Sequence, residues 1–496
     1  MHRKDVMYVL GEFYMPEETM PPPRIESSSQ LPPSELGLAH TENVSKDSSI
    51  NKQRYARVQA VVETCMIIGG LLVIFLFLPR QTGGDGWIRY QNLIDVVRRT
   101  IPHARYSMVG PFFAAPLLII GKKLGDPDDW VTAYNLILFS FSLLVMYLVL
   151  KNRIDRGLLR KFFLVLIVAS MFGAHLAFFY GEVFTALCVG FGIMAVILTR
   201  FVPVGWLAII LGVVNTPATA LGLILMIAKH AFNKKRLRYL LVILATGALV
   251  ATEAWVRWGS PLSSGYTNDH GFKTFMPYSG LSGFSYPLFF GVLALLFSFG
   301  KGLLFFAPGL LLPVRKTLQK LRYQDLFQVH ILWICFLAGE ILVYGHWWAW
   351  YGGLFWGPRF LLIASLPASL ALAIRLRYSK DASLLVNILT LAIFCFSLWV
   401  GINGTVYQWT TVANPICTAN NFNLEMICYY TPEFSVLWLP FVSHIDITLG
   451  QVIFLLYSLL AGAYLTWPLL VQITQQMGPL LKVFCQEHIK PGIWRI

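Results

Sequence analysis

The chain has 496 residues, of which 56% are hydrophobic and only 13% charged, and it carries a net charge of +14. Its mean hydropathy of +0.62 leaves too little polar surface for a soluble protein of this length. The positive balance does not point to nucleic acid either, because the basic residues are confined to short loops between long apolar runs.

In chain order, Met1–Asn51 comes first. It is rich in Pro, Ser and Glu, with Pro21-Pro22-Pro23 and Ser27-Ser28-Ser29, and has no sustained apolar period. Glu12, Glu17 and Glu18 are acidic and no cleavage site follows an apolar core, so the segment resembles neither a signal peptide nor a domain. The composition predicts a disordered cytoplasmic tail over residues 1–55, then one multi-span membrane domain over 56–496.

A helix needs roughly 20 apolar residues to cross the hydrocarbon. On that scale about twelve spans are predicted: Val61–Leu78, Val131–Leu150, Phe162–Phe178, Val183–Thr199, Val204–Val214, Ala218–Ile227, Leu240–Val256, Leu303–Val314, Phe327–Tyr344, Phe360–Ile374, Leu384–Val400 and Leu449–Leu470. Two further runs, Met108–Ile120 and Tyr286–Phe299, are read as half-buried helices on the outer face. The expected fold class is thus all-α, a polytopic membrane protein with outer-face juxtamembrane helices. Five loops hold the positive charge, beginning at Lys52, Lys151, Lys229, Arg315 and Arg375. With all five inside, both termini are cytoplasmic in a cell (inner) membrane.

Chemistry is then expected in the outer loops. Asp85, in Gly84-Asp85-Gly86, follows the first span at the bilayer surface, where a carboxylate is a functional candidate as a general base. Gly-Gly-Asp-Gly is also ordinary turn chemistry. Arg89, one helical turn later, is placed to keep Asp85 ionised. Glu182 opens the fourth span, as a second acid or a helix N-terminal charge. In the run from His346 to Pro367, Arg359 follows a Gly-Gly and a Gly-Pro corner amid aromatics that include Trp350 and Tyr351. A guanidinium at head-group depth suits fork-like binding of phosphate, and a snorkelling anchor is its bland reading. Lys301, between two glycines, and His346 are further candidate phosphate contacts. Cys417 and Cys428 share one outer loop and are expected to pair. No metal-ligand spacing is present.

These segments resemble the GT-C superfamily of membrane glycosyltransferases, in particular the group related to protein O-mannosyltransferases and the aminoarabinose transferases of lipid A. In that family an acidic motif follows the first span, two juxtamembrane helices come next, and a second acid opens the fourth span. Gly84-Asp85-Gly86, Ile88–Thr100, Met108–Gly121 and Glu182 match in turn. Trp347–Pro367 matches a Trp-x-Trp-x-Gly-Gly…Gly-Pro-Arg-x-Leu pattern. The resemblance implies a polyprenyl-phosphate sugar as donor and inverting transfer to a lipid, glycan or protein acceptor on the outer face. Asp85 would be the base, with Glu182 beside it. Arg359, Lys301 and His346 would stabilise the leaving phosphate, and the Trp347–Trp356 segment would shape a lipid groove. Some relatives carry two adjacent acids and a divalent metal; Gly86 takes the second acid's place here, which leaves a metal open. The rival readings are a lipid-linked glycan flippase or transporter, and an O-antigen ligase or polymerase. The outer loop Asn403–Asp446 has no arginine, against the second.

Overall fold

The computed structural model describes residues 36–103, 105–234, 239–263, 265–266, 269–321, 323–408 and 415–488. Residues 1–35, most of the expected tail, lie outside the described residues. From Leu36 the chain is in helix α1 (Leu36–Phe77). The chain divides into residues 1–58 and a body beginning at Gln59.

The described residues are helical, with two isolated bridges and no extended strand. After α1 come α2 (Asp85–Val97), α3 (Val109–Leu124), α4 (Tyr134–Leu150), α5 (Arg156–Val168), α6 (Gly181–Leu198), α7 (Val202–Asn215), α8 (Ala220–Lys234), α9 (Leu240–Trp258), α10 (Leu288–Phe297), α11 (Gln324–His346), α12 (Ser365–Arg377), α13 (Leu384–Val406) and α14 (Leu449–His488). Helices satisfy their own backbone groups, which is what an apolar solvent demands.

Among the described residues, eight helical segments are long and apolar enough to cross a membrane: Gln53–Phe77, Pro127–Leu150, Gly181–Leu198, Leu240–Trp258, Gln324–His346, Arg359–Arg377, Leu384–Val406 and Leu449–Pro479. The other four predicted spans take different forms. Val204–Val214 and Ala218–Ile227 fall in the shorter helices α7 and α8. Phe162–Phe178 is broken: α5 stops at Val168 and a one-turn helix, Phe172–His175, follows. Leu303–Val314 splits into Leu303–Phe306 and the 3-10 turn Pro308–Leu311, because Pro308 removes a donor from the ladder. The two runs read as outer-face helices are α3 and α10.

Burial orders the helices. Arg359–Arg377 is the central segment, with 94% of its apolar window enclosed, whereas Gln53–Phe77 and Leu240–Trp258 enclose only 17% and turn residues such as Leu72, Leu76, Leu241 and Leu244 outward. Those outward apolar faces suit lipid. Close approach between helices uses small residues: a Cβ built on Gly339 of α11 would lie 2.4 Å from the Cα of Gly222 in α8. Glu63 of α1 is fully buried and is matched by Arg160 Nε at 2.7 Å and Lys161 Nζ at 3.5 Å from α5, as a buried charge must be.

Candidate functional site

The ends of several helices meet near one point, and amide side chains hold them there. Gln81 and Phe178 form a single parallel bridge, with Gln81 N–H donating to the carbonyl of Ala177 at 3.1 Å. This laces the chain leaving α1 to the chain entering α6. Asn135, fully buried in α4, donates to the carbonyls of Phe178 (2.6 Å) and Tyr180 (2.9 Å) and so fixes the turn before α6. Asn215, at the end of α7, donates to the Gly181 carbonyl at 2.9 Å and accepts from Gly110 N–H of α3 at 3.0 Å.

On this frame Asp85 opens α2 and Glu182 lies in the first turn of α6. Arg359, at the start of the central segment, meets both. Its Nη2 is 2.6 Å from Asp85 Oδ2 and its Nη1 is 3.6 Å from Glu182 Oε1. The guanidinium is enclosed by aromatic rings, with Phe355, Phe360 and Tyr180 centroids at 4.5, 5.0 and 5.4 Å. Arg359 Nε and Nη1 have no hydrogen-bond acceptor, and neither do Nε and Nη1 of Arg89. Arg89 is buried over the Tyr106 ring at 4.7 Å. Two buried guanidiniums with donors to spare, one of them already paired with Asp85 and Glu182, have the chemistry that binding an anion needs.

The glycines here serve packing. Gly84 has φ of 61°, and a Cβ on it would be 2.7 Å from the Phe355 ring. A Cβ on Gly181 would be 2.5 Å from Arg89 Nη2. A side chain at Gly84 would be strained and would meet the Phe355 ring, so this glycine lets the aromatic loop close on Asp85; one at Gly181 would have to displace the end of Arg89, so the second glycine leaves room for Arg89 to reach α6.

Asp85 keeps 22% of its side chain open. Burial pushes its pKa up, but the Arg359 charge, a hydrogen bond from the Tyr106 phenol, the bond to Arg359 and the Arg89 charge together outweigh burial. The carboxyl therefore titrates below its ordinary range and is ionised at neutral pH. Burial first, and then the Asp85 charge, raise the Tyr106 phenol far above its usual value, so it stays a donor.

Lys301 does not join the arginine. Its ammonium is 1% exposed and donates to the carbonyls of Gly353 (2.9 Å), Phe355 and Gly357 (3.0 Å). All three of its hydrogens are thus used inside the protein. In this arrangement Lys301 clamps the loop that puts Phe355 on Arg359, and no donor remains for the phosphate contact expected from the sequence. His346 is engaged elsewhere, with Nδ1 2.6 Å from the Tyr286 carbonyl and its ring stacked on Phe284. Trp350 and Tyr351 are buried in an aromatic cluster with Tyr286, Tyr429 and Tyr430. Tyr351 donates to Glu425, whose carboxyl is pushed up to about 7 by burial, against the opposing effects of Tyr351 and Lys301. Cys417 and Cys428 are joined as a disulfide, which pins the segment carrying Glu425 and Tyr429.

The sequence reading missed Tyr106, Tyr180, Asn135, Asn215 and Glu425. The two asparagines had a signal, as amides within apolar helical runs. Tyr106 had none, because a tyrosine at a membrane interface is commonplace.

For a divalent metal the donor set does not fit. Asp85 and Glu182 already share one guanidinium, and among the described residues no group of three His, Cys, Asp or Glu side chains converges.

No family model matches the chain, and no curated protein or solved structure matches it.

Proposed function

We propose that the protein is a membrane glycosyltransferase of GT-C type that moves a sugar from a polyprenyl-phosphate donor to an acceptor hydroxyl at the outer face of the membrane. One observation carries the reading: a buried arginine with unused donors, beside a second such arginine, is ion-paired to a carboxylate that remains partly open. An in-line displacement at an anomeric carbon needs those two parts side by side, a base for the acceptor and a cationic seat for the leaving phosphate.

In the proposed reaction the acceptor oxygen forms a bond to the anomeric carbon with inversion, and the bond from that carbon to the phosphate oxygen breaks. The acceptor proton goes to Asp85, and the electron pair leaves with polyprenyl phosphate. Arg359 and Arg89 neutralise the charge that develops on the phosphate. Arg359 also links the two halves. While it is held by Asp85 it depresses that carboxyl's basicity, and an incoming phosphate that draws the guanidinium away strengthens the base when the donor is bound. Glu182 retains a hold on Arg359 during this exchange. Lys301, Trp350 and Tyr351 keep the loop over the site and do not touch the phosphate.

The same reading takes the chain across the membrane about twelve times, with the broken segments Phe162–Phe178 and Leu303–Val314 and the short helices α7 and α8 completing the crossings. Supporting it, Gly309 lies against the backbone of Ala368 within the central segment. Both termini are then cytoplasmic and the basic loops face inward. Membrane lipids surround the protein.

The test is purified protein in vesicles supplied with a panel of labelled polyprenyl-phosphate sugars and of acceptors presented on the face of the membrane that carries Asp85. Release of polyprenyl phosphate is expected, and Asp85→Asn should slow it by roughly two to four orders of magnitude. Movement of the lipid-linked sugar between leaflets with no cleavage would make the protein a transporter. Near-abolition by Glu182→Gln with wild-type rates in Asp85→Asn would move the base to α6.

A further inference from the structure

At the far end of α11 from the Trp347–Pro358 loop, a cavity of about 320 Å3 opens between α8, α11 and the short helix Arg315–Lys320. Gln328 lines it, and the 18 residues from there to His346 span roughly 27 Å of helix, close to one hydrocarbon thickness. The cavity therefore lies at the membrane boundary opposite the candidate active site. Its lining includes two exposed cations, Lys229 of α8 and Arg315, and the half-buried amide of Gln328. Its inner wall is apolar, from Phe327, Ile331 and Leu332.

The charge near the mouth is one-sided. Lys320 is matched by Asp381 at 2.6 Å, but Lys229 and Arg315 have no acid partner among the described residues. Asp325 is the acid on the first turn of α11; it is exposed and does not line the cavity. His230 also lines the cavity, and its ring is packed against Trp206 and Tyr239. Beside the mouth, Phe232 on α8 and Leu311 before Arg315 are 81% and 58% exposed. Large apolar side chains exposed close in the chain to both cations suit a ligand that carries hydrocarbon.

We propose that this cavity binds the phosphate headgroup of an anionic membrane lipid. Lys229 and Arg315 flank the phosphate, Gln328 donates to a headgroup oxygen, and the first part of an acyl chain lies on Phe327, Ile331 and Leu332. A free phosphate meets the same two cations but leaves the apolar wall and its flanks unused, which is why the lipid is the favoured source. Basic pockets between membrane helices hold anionic headgroups by this combination of charge and apolar contact. The inference depends on the proposed topology only for its leaflet, the cytoplasmic one, and not on the transferase reading.

The experiment uses the full chain, stripped of lipid in neutral detergent, with the thermal unfolding midpoint followed during titration. The probes are dioleoylphosphatidylglycerol, dioleoylphosphatidylcholine and inorganic phosphate. Phosphatidylglycerol should raise the midpoint at a far lower mole fraction than phosphatidylcholine, and inorganic phosphate should have no effect at millimolar levels. Removing one cation should raise the half-saturating lipid fraction about fivefold, and Lys229→Ala with Arg315→Ala together about 25-fold. Arg153→Ala, an exposed basic residue of another loop, should change nothing. Ile331→Trp keeps the charge and fills the apolar wall, so it should also weaken the lipid response. Because both cations are exposed, the lipid-free midpoint of the double variant serves as its folding control. Equal responses to the two lipids, an undiminished response in the double variant, or an equal response to inorganic phosphate would each overturn the proposal.

Discussion

Arg359 lies 2.6 Å from Asp85 through its Nη2, so the acid that follows the first long helix and the arginine that opens the most enclosed segment form one ion pair. Because Glu182 stands 3.6 Å from the same guanidinium, the three residues behave as a unit. Arg359→Lys keeps the charge but cannot reach both acids from one planar fork. Donor turnover should fall at least tenfold, read as kcat/KM on the purified variant. Arg359→Ala leaves two carboxylates facing a buried gap, and a stability loss of about 3–5 kcal/mol should accompany the loss of activity. Unchanged turnover in Arg359→Lys would mean that the arginine is only an anchor.

Tyr106→Phe keeps the ring beneath Arg89 and removes the hydrogen bond to Asp85. That bond favours the carboxylate, so its loss should move the acid limb of the pH–rate profile to higher pH while the unfolding midpoint stays nearly unchanged. A profile with an unmoved acid limb would show that the limb belongs to another group.

Lys301→Met should release the loop over Arg359. Three carbonyls lose their donor at once, and leaving even one of them buried without a partner costs about 1–3 kcal/mol. Limited proteolysis should then cut within residues 347–358, where the wild-type chain resists, and activity should fall although Lys301 makes no substrate contact. Resistance equal to wild type would show that the clamp is dispensable.

Glu425 supplies a pH dependence of stability. Its carboxyl is raised from 4.5 to about 7 in the folded chain, so between those values the folded state holds a proton that the unfolded state has lost. Stability should therefore fall as pH rises from about 4.5 through 7 and level off above. Glu425→Gln should flatten that part of the curve, as followed by unfolding midpoints across the range. An unchanged slope in the variant would assign it to other groups.

Much of the fold was legible because a bilayer imposes a simple rule on sequence. Eight of the predicted spans coincide with long apolar helices, from α1 to α14, since apolar length alone decides them. Phe162–Phe178 and Leu303–Val314 read as helices from hydropathy but are broken ones, because hydropathy is blind to where a buried backbone can find other partners.

The sequence by itself determined the apolar framework, the confinement of basic residues to loops, and four of the polar residues that meet at the site: Arg89, one turn after Asp85, and Asp85, Glu182 and Arg359. The last three stand out as charges at the edge of a hydrophobic run, where desolvation makes them costly. Tertiary structure alone decided how they are paired, that Lys301 faces inward to three carbonyls, and that Tyr106 completes the hydrogen bonding of Asp85. Hydropathy is a property of the local chain and can be read along it. A hydrogen bond or an ion pair depends on where separate helices end in space, and packing contacts such as those at Gly84, Gly181 and Asn215 set those positions.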